Sequence, residues 1–208
     1  MVYYSSCVLL GYLLGCVNPA YILGKHKGYD IRQKGSGNPG ATNTMLVMGF
    51  KKGLLVAAFD IFKAFLAFHA VKKLYPDLPY AGLSAALACV VGHMFPVFLR
   101  FRGGKGLASF GGVILSTDWK LFLFILTLSI LTAVITDYGV FATLFAGIAF
   151  PLTVGVIGDD WLAASLIFCV SLLMVFRHRE NIVRFFRGQE RGVSSLWKKE
   201  NYKLPAER

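Results

Sequence analysis

Residues 119–136 read WKLFLFILTLSILTAVIT and residues 138–158 read YGVFATLFAGIAFPLTVGVIG, with Asp137 alone between them. An apolar block over 160–176 follows, separated from the second only by Asp159. Runs of this kind carry no alternating or 3.6-residue polar pattern, so they do not describe half-buried strands or the amphipathic helices of a soluble core. Each reaches the ~17 to 25 residues that a helix needs to cross a bilayer. Working outward, cutting the chain at its charges gives further apolar blocks near 5–24, 53–71, 79–99 and 106–117. The expectation is an all-α integral membrane protein of seven transmembrane helices, one membrane domain over 1–208.

Composition agrees. Of 208 residues 56% are hydrophobic and 16% charged, against roughly 25% charged in soluble domains. A water-soluble enzyme is excluded. The net charge of +11 would point to nucleic acid in a soluble protein, but its distribution reports topology instead. With seven crossings, 18 of the 22 Lys and Arg fall on one side, in 25–52, 100–105 and the tail from 177. The opposite side keeps Lys72, Lys73 and Lys120, and Lys63 lies inside a block. The positive-inside rule then places the N-terminus outside and the C-terminus in the cytoplasm. Block four, only twelve residues long, is expected to be a short helix; were it re-entrant, the basic tail would be placed outside. Leu13-Leu14-Gly15-Cys16 loosely matches a lipoprotein cleavage site, but no Lys or Arg precedes it to form a signal-peptide head. Cys7, Cys16, Cys89 and Cys169 sit singly in apolar blocks and read as small hydrophobes rather than metal ligands.

Polar residues are costly near lipid and so mark function. They gather in three places, all at ends of helices predicted to be cytoplasmic: Gly35-Ser36-Gly37-Asn38-Pro39-Gly40-Ala41-Thr42-Asn43, Gly92-His93-Met94-Phe95-Pro96 through Gly103-Gly104-Lys105-Gly106, and Arg177-His178-Arg179-Glu180-Asn181. The first matches G-x-G-x-x-G at Gly35, Gly37 and Gly40, but no strand or βαβ unit precedes it, so a dinucleotide site is rejected. Two readings stay open: a flexible turn with a helix cap, or a nest of N–H groups opening a short helix and favouring an anion, with Ser36, Asn38, Thr42 and Asn43 as further donors. The second resembles part of a P-loop but fails it, with Leu99 and Gly106 at the positions of the first glycine and the Ser/Thr. No ATPase is implied. Glycines around Lys105 would bring backbone donors and one ammonium to the same anion. Arg100 and Arg102 read equally as anchors at the lipid headgroups or as added charge at that site.

His93, near the end of its helix, reads as a structural hydrogen-bonding group or a proton carrier. His178 and Asn181 share a helical face at i,i+3 and would hold a substrate hydroxyl or phosphate. Asp60 and Lys63 stand at the same spacing inside block two. Ten strongly apolar residues there contribute about −5 kcal/mol to insertion and two central charges cost about +6, so the pair must find partners. It reads either as a structural ion pair or as part of the site. From Arg179 to Arg187 basic residues alternate with Ile182, Val183, Phe185 and Phe186, the composition of a helix lying on an anionic membrane surface.

Together, the run 35–43, the run Gly92 to Phe98 with Gly103-Gly104-Lys105-Gly106, and His178-Arg179-Glu180-Asn181-Ile182 resemble, in order and spacing, three motifs of the bacterial acyl-phosphate:glycerol-3-phosphate acyltransferases, the PlsY family. Asp60-x-x-Lys63 is also similar to that family. The resemblance implies a seven-helix enzyme of the bacterial inner membrane, its site facing the cytoplasm. It would move a fatty acyl group from acyl phosphate to the 1-hydroxyl of sn-glycerol 3-phosphate, giving lysophosphatidic acid and phosphate for phospholipid synthesis. By position, Ser36 to Asn38 with the neighbouring glycines would cradle a phosphate, Lys105 would bind substrate phosphate, and His178 and Asn181 would position the acceptor. His93, Asp60, Lys63, Thr42, Asn43, Gly103, Gly104 and Gly106 are further substrate-binding candidates. No metal, cofactor, nucleic acid or obligate protein partner is expected; membrane lipids are.

Two departures stand out. Leu46 replaces the Arg common in the family, leaving Lys34, Arg102 or another cation to substitute, and Asp137-Tyr138-Gly139-Val140 replaces an Arg-Tyr-Val-Ser run. A catalytically weakened paralogue is therefore one alternative. A transporter for an anionic solute is another, disfavoured because transporter sites lie near the midplane between repeated halves, whereas these motifs sit at one face of a chain without repeats.

Overall fold

The computed structural model describes residues 2–196, and the part of the predicted tail beyond them lies outside the described residues. Ten α-helices follow in order: α1 (Val2–Gly15), α2 (Pro19–His26), α3 (Ala41–Met48), α4 (Phe50–Leu74), α5 (Ala81–Met94), α6 (Leu107–Thr117), α7 (Trp119–Thr136), α8 (Gly139–Leu152), α9 (Trp161–Arg177) and α10 (Arg179–Phe186). No strand occurs among the described residues.

Five stretches are long and apolar enough to cross a membrane: Tyr3–His26, Phe50–Leu74, Ala81–Leu99, Trp119–Thr136 and Gly139–Ile157. A sixth results if α9 and α10, bent by 51°, are taken as one span. The first block is broken inside. Pro19 opens α2 at a position where its missing N–H costs nothing, and the Asn18 side chain accepts from the Tyr21 N–H at 2.8 Å. Asp118 and Asp160 cap α7 and α9 in the same way. At its eleven residues α6 is about 16 Å long, roughly half the hydrocarbon thickness.

At the centre stands α5, buried at nearly every position from Ala81 to Met94. Its small residues permit close approach. A Cβ on Gly11 or Gly15 of α1 would strike the carbonyls of Ala85 and Cys89, and one on Gly92 would strike the Tyr12 carbonyl. Helices that cannot gain from hydrophobic exclusion in lipid associate through such backbone contacts. Gly112 of α6 likewise sits on the Ile61 carbonyl of α4. On α7 only Ile125 and Ser129 are buried, and Ile135, Val134 and Phe124 point outward. Apolar surface so continuous matches lipid as its solvent.

Candidate active site

The glycine loop is held from inside by Asn43. Its Oδ1 accepts from the Ser36 N–H at 2.7 Å, and its amide donates to the carbonyls of Lys34 (3.0 Å) and Ile31 (3.3 Å). Gly35 and Gly37 take the left-handed conformation, φ +63° and +73°, and a Cβ on Gly35 would collide with Asn43 Oδ1. This corrects the expectation of Asn43 as a substrate donor: both of its amide hydrogens go to backbone. The Gly37 and Gly40 N–H groups are similarly spent, on Lys34 and Asn38 carbonyls. Ser36 and Thr42 are exposed and Asn38 half-buried. Behind the loop, α3 begins at Ala41, where first-turn N–H groups have no intrahelical acceptor. Two contacts that the sequence did not reveal fix the loop to the bundle: Asn18 Nδ2 donates to the Pro39 carbonyl at 2.9 Å, and Arg32 Nη1 to the Leu99 carbonyl at 3.0 Å.

The second loop carries a correction too. Gly103 and Gly104 donate their N–H groups to the Met94 and His93 carbonyls at 3.2 and 3.0 Å, so these amides are not anion donors. Their carbonyls face Arg177, whose Nη2 donates to Gly103 at 2.8 Å and Nε to Gly104 at 3.3 Å. Gly106, at φ +97°, opens α6. What this loop presents is Lys105, half-buried, its Nζ donating to Asn181 Oδ1. The other face of that amide donates to Glu190, which also binds Arg184 Nε at 2.8 Å. Lys105, Asn181, Arg184 and Glu190 thus form one polar cluster where α6 begins and α10 crosses beneath it. Burial pushes the Lys105 ammonium down to about 8, with Arg184 and Arg177 acting in the same direction and Glu190 against it.

His178 stands at the junction of α9 and α10. Its Nδ1 lies 2.9 Å from the Met174 carbonyl and must carry the hydrogen, which leaves Nε2 as an acceptor 3.3 Å from Thr143 Oγ1. Thr143 of α8, fully buried, has no sequence signal of its own in an apolar run. Glu190 and Arg184 were equally unread, lost in the basic tail.

Asp60 and Lys63, read as a structural ion pair or as part of the site, and His93, read as a structural group, a proton carrier or a substrate-binding residue, lie together in the bundle interior, 1–3% exposed. Lys63 Nζ lies 2.8 Å from Asp60 Oδ1 and donates to the carbonyls of Gly15 (3.1 Å) and Val17 (2.9 Å), and His93 Nδ1 lies 3.2 Å from the same carboxylate oxygen. With the Asp60 carboxylate, two carbonyls and His93 Nδ1 (3.0 Å) all around it, the ammonium has nothing left for a substrate.

Of the loop cations that could stand in for the guanidinium missing at Leu46, two already have partners. Arg32 is paired with Asp30 at 2.7 Å, Lys34 Nζ stacks 4.3 Å over the Tyr29 ring, and Arg102 is exposed. Asp137 instead ties down the turn Val193–Leu196, accepting from the Ser194 N–H at 2.7 Å and hydroxyl at 2.9 Å. A cavity of about 650 Å³ lies at the opposite helix ends, between Lys72, Tyr80, Asp118 and Asp160. Asp118 and Asp160 are occupied there as helix caps, and the convergent polar groups are at the other end.

The family model described as "Glycerol-3-phosphate acyltransferase" matches residues 5–188. A glycerol-3-phosphate acyltransferase of Exiguobacterium sibiricum is 39% identical over 206 residues, covering 95% of this chain and 97% of that protein. One of Staphylococcus aureus (strain Newman) is 37% identical over 191 residues, covering 88% and 94%. The crystal structure of PlsY, an integral membrane glycerol 3-phosphate acyltransferase, in its glycerol 3-phosphate form superimposes with a TM-score of 0.82 at 33% identity, covering 93% of this chain and 97% of that one. The same enzyme in its lysophosphatidic acid form gives 0.78 at 34% identity, covering 91% and 94%. Extending over nearly the whole chain, this likeness makes it a multi-pass membrane acyltransferase that belongs to the glycerol-3-phosphate acyltransferase family.

Proposed function

We propose that this chain transfers a fatty acyl group from acyl phosphate to the 1-hydroxyl of sn-glycerol 3-phosphate, releasing lysophosphatidic acid and inorganic phosphate at the cytoplasmic face of the bacterial inner membrane. The observation that carries the reading is the Lys105–Asn181 contact beside His178, a cation and two orienting polar groups at one end of an apolar bundle. Relatives in glycerol 3-phosphate and lysophosphatidic acid forms support the acceptor and the product. Lys105 binds the acceptor phosphate, and His178 and Asn181 orient the glycerol. Ser36, Asn38 and Thr42, carried on the turn that Gly35, Gly37 and Gly40 shape, and the first turn of α3 surround the donor phosphate.

An acyl phosphate is a mixed anhydride with a good leaving group, so positioning and charge stabilisation suffice. The acceptor oxygen attacks the acyl carbon, the carbon–oxygen bond to phosphate breaks, and the hydroxyl proton passes to the donor's phosphate. No acyl-enzyme forms. The chain works as one domain with seven crossings, α6 being a short one and α9 the last, and with its N-terminus outside and the basic tail on the cytoplasmic surface. The distribution of Lys and Arg supports this orientation.

Purified protein incubated with palmitoyl phosphate tests the proposal. Phosphate release is expected to depend on glycerol 3-phosphate and, at subsaturating acceptor, to fall by about 10- to 150-fold in Lys105→Ala. Release indifferent to the acceptor, or a covalent acyl-enzyme caught in a chase, would overturn the reading.

A further inference from the structure

The charged cluster inside the bundle lies too deep to touch a substrate, yet it is bonded to the roots of both site loops. On one side, Lys63 holds the carbonyls of Gly15 and Val17, where α1 ends. The next residue, Asn18, caps α2 with its Oδ1 and donates from Nδ2 to Pro39 in the glycine loop. On the other side, the His93 carbonyl accepts the Gly104 N–H, and its ring lies directly beneath Gly104, where a Cβ would meet Nε2. Lys105 is the following residue. The two branches meet directly, Lys63 Nζ lying 3.0 Å from His93 Nδ1, and Asp60 Oδ1 closes the triangle at 2.8 Å from the ammonium and 3.2 Å from the ring nitrogen.

We propose that the Asp60–Lys63–His93 cluster is a positioning group for acyl transfer, locking the glycine loop and the Lys105 loop into one register from within the bundle. Stability alone is a poor reason to hold such a cluster, since replacing a buried ion pair by apolar side chains is often neutral or stabilising. Here the ammonium closes a helix break whose carbonyls would otherwise be orphaned in an apolar interior, and that break is what turns Asn18 toward the glycine loop. The inference rests on the proposed acyl transfer, because it assigns Asp60, Lys63 and His93 a role in aiming its phosphate ligands.

The test uses the full-length protein and begins with wild-type turnover of palmitoyl phosphate at varied glycerol 3-phosphate. Asp60→Asn/Lys63→Met leaves no unpaired charge buried. It is expected to stay folded by thermal unfolding and to raise the acceptor KM roughly tenfold while kcat changes less than about threefold. A second pair probes the ring contact. His93→Asn keeps a donor near Asp60 but empties the space under Gly104, and Gly104→Ala places a methyl in that space. Each alone is expected to raise the acceptor KM, and the combined variant to have a lower KM than Gly104→Ala alone. A wild-type KM in folded Asp60→Asn/Lys63→Met, or strictly additive effects of His93→Asn and Gly104→Ala, would overturn the positioning role while leaving acyl transfer intact. Absence of acceptor-dependent turnover in the wild type would overturn both.

Discussion

Raising the pH should weaken use of glycerol 3-phosphate well before lysines ordinarily titrate. In the folded protein burial brings the Lys105 ammonium from 10.5 down to about 8, and only the charged form attracts a phosphate. The acceptor's own second ionisation lies near pH 6, so from pH 7 upward it is about nine-tenths dianion or more. Because the folded value is lowered, charge is lost as pH rises through it: about nine-tenths of Lys105 is protonated at pH 7 and about one-tenth at pH 9. The fall in kcat/KM for the acceptor over that interval should be roughly tenfold, since this ratio follows ionisation of the free enzyme. The full contact sets the ceiling. A hydrogen bond between charged groups contributes about 1.5 to 3 kcal/mol, so Lys105→Met should cost about 10- to 150-fold at pH 7. Phosphate release from palmitoyl phosphate at subsaturating acceptor, from pH 6.5 to 9.5, reads the profile. Lys105→Arg supplies the control, because a guanidinium does not deprotonate; its activity is lower but the alkaline fall should disappear. A wild-type profile flat to pH 9.5, or the same fall in Lys105→Arg, would refute the assignment.

Leu46→Arg restores the cation common in related motifs and should lower the acceptor KM, by up to the same 1.5 to 3 kcal/mol or so; an unchanged KM in the kinetic assay would show that other groups have rebuilt the phosphate contacts. Asn43→Ala deletes the side chain bonded to Ser36, Lys34 and Ile31. It should cost about 1 to 3 kcal/mol in unfolding free energy by leaving buried backbone groups unpaired, and a thermal midpoint identical to wild type would contradict that account. Gly15→Val drives a methyl into the Cys89 carbonyl and should reduce the yield of monodisperse protein through overpacking of about 1 to 3 kcal/mol; normal yield and activity would show that the α1–α5 seam is looser than described.

Hydrophobicity is a local property that adds up along the chain, so the apolar blocks were legible without the fold. The runs at 119–136 and 138–158 correspond to α7 and to α8 with the π-helical turn Thr153–Ile157 that continues it. Local too are the helix breaks at Asn18-Pro19 and His178, although block patterning passed over the first. The seam of Gly11, Gly15 and Gly92 left a trace in its four-residue spacing, unread because small residues in an apolar run carry little weight. The partners of polar groups are a different matter. Lys63 shows its charge in sequence, but its acceptors at Gly15 and Val17 lie 48 and 46 residues away. Gly103 and Gly104 look like anion donors until His93 and Met94 claim their amides. Thr143 looks like any helix threonine until α9 brings His178 beside it. Composition thus determined by itself that the chain lives in a membrane and which segments carry the chemistry. Tertiary structure alone decided which donors are spent on the fold and which remain for a substrate, because a hydrogen bond is fixed by what distant segments bring within about 3 Å.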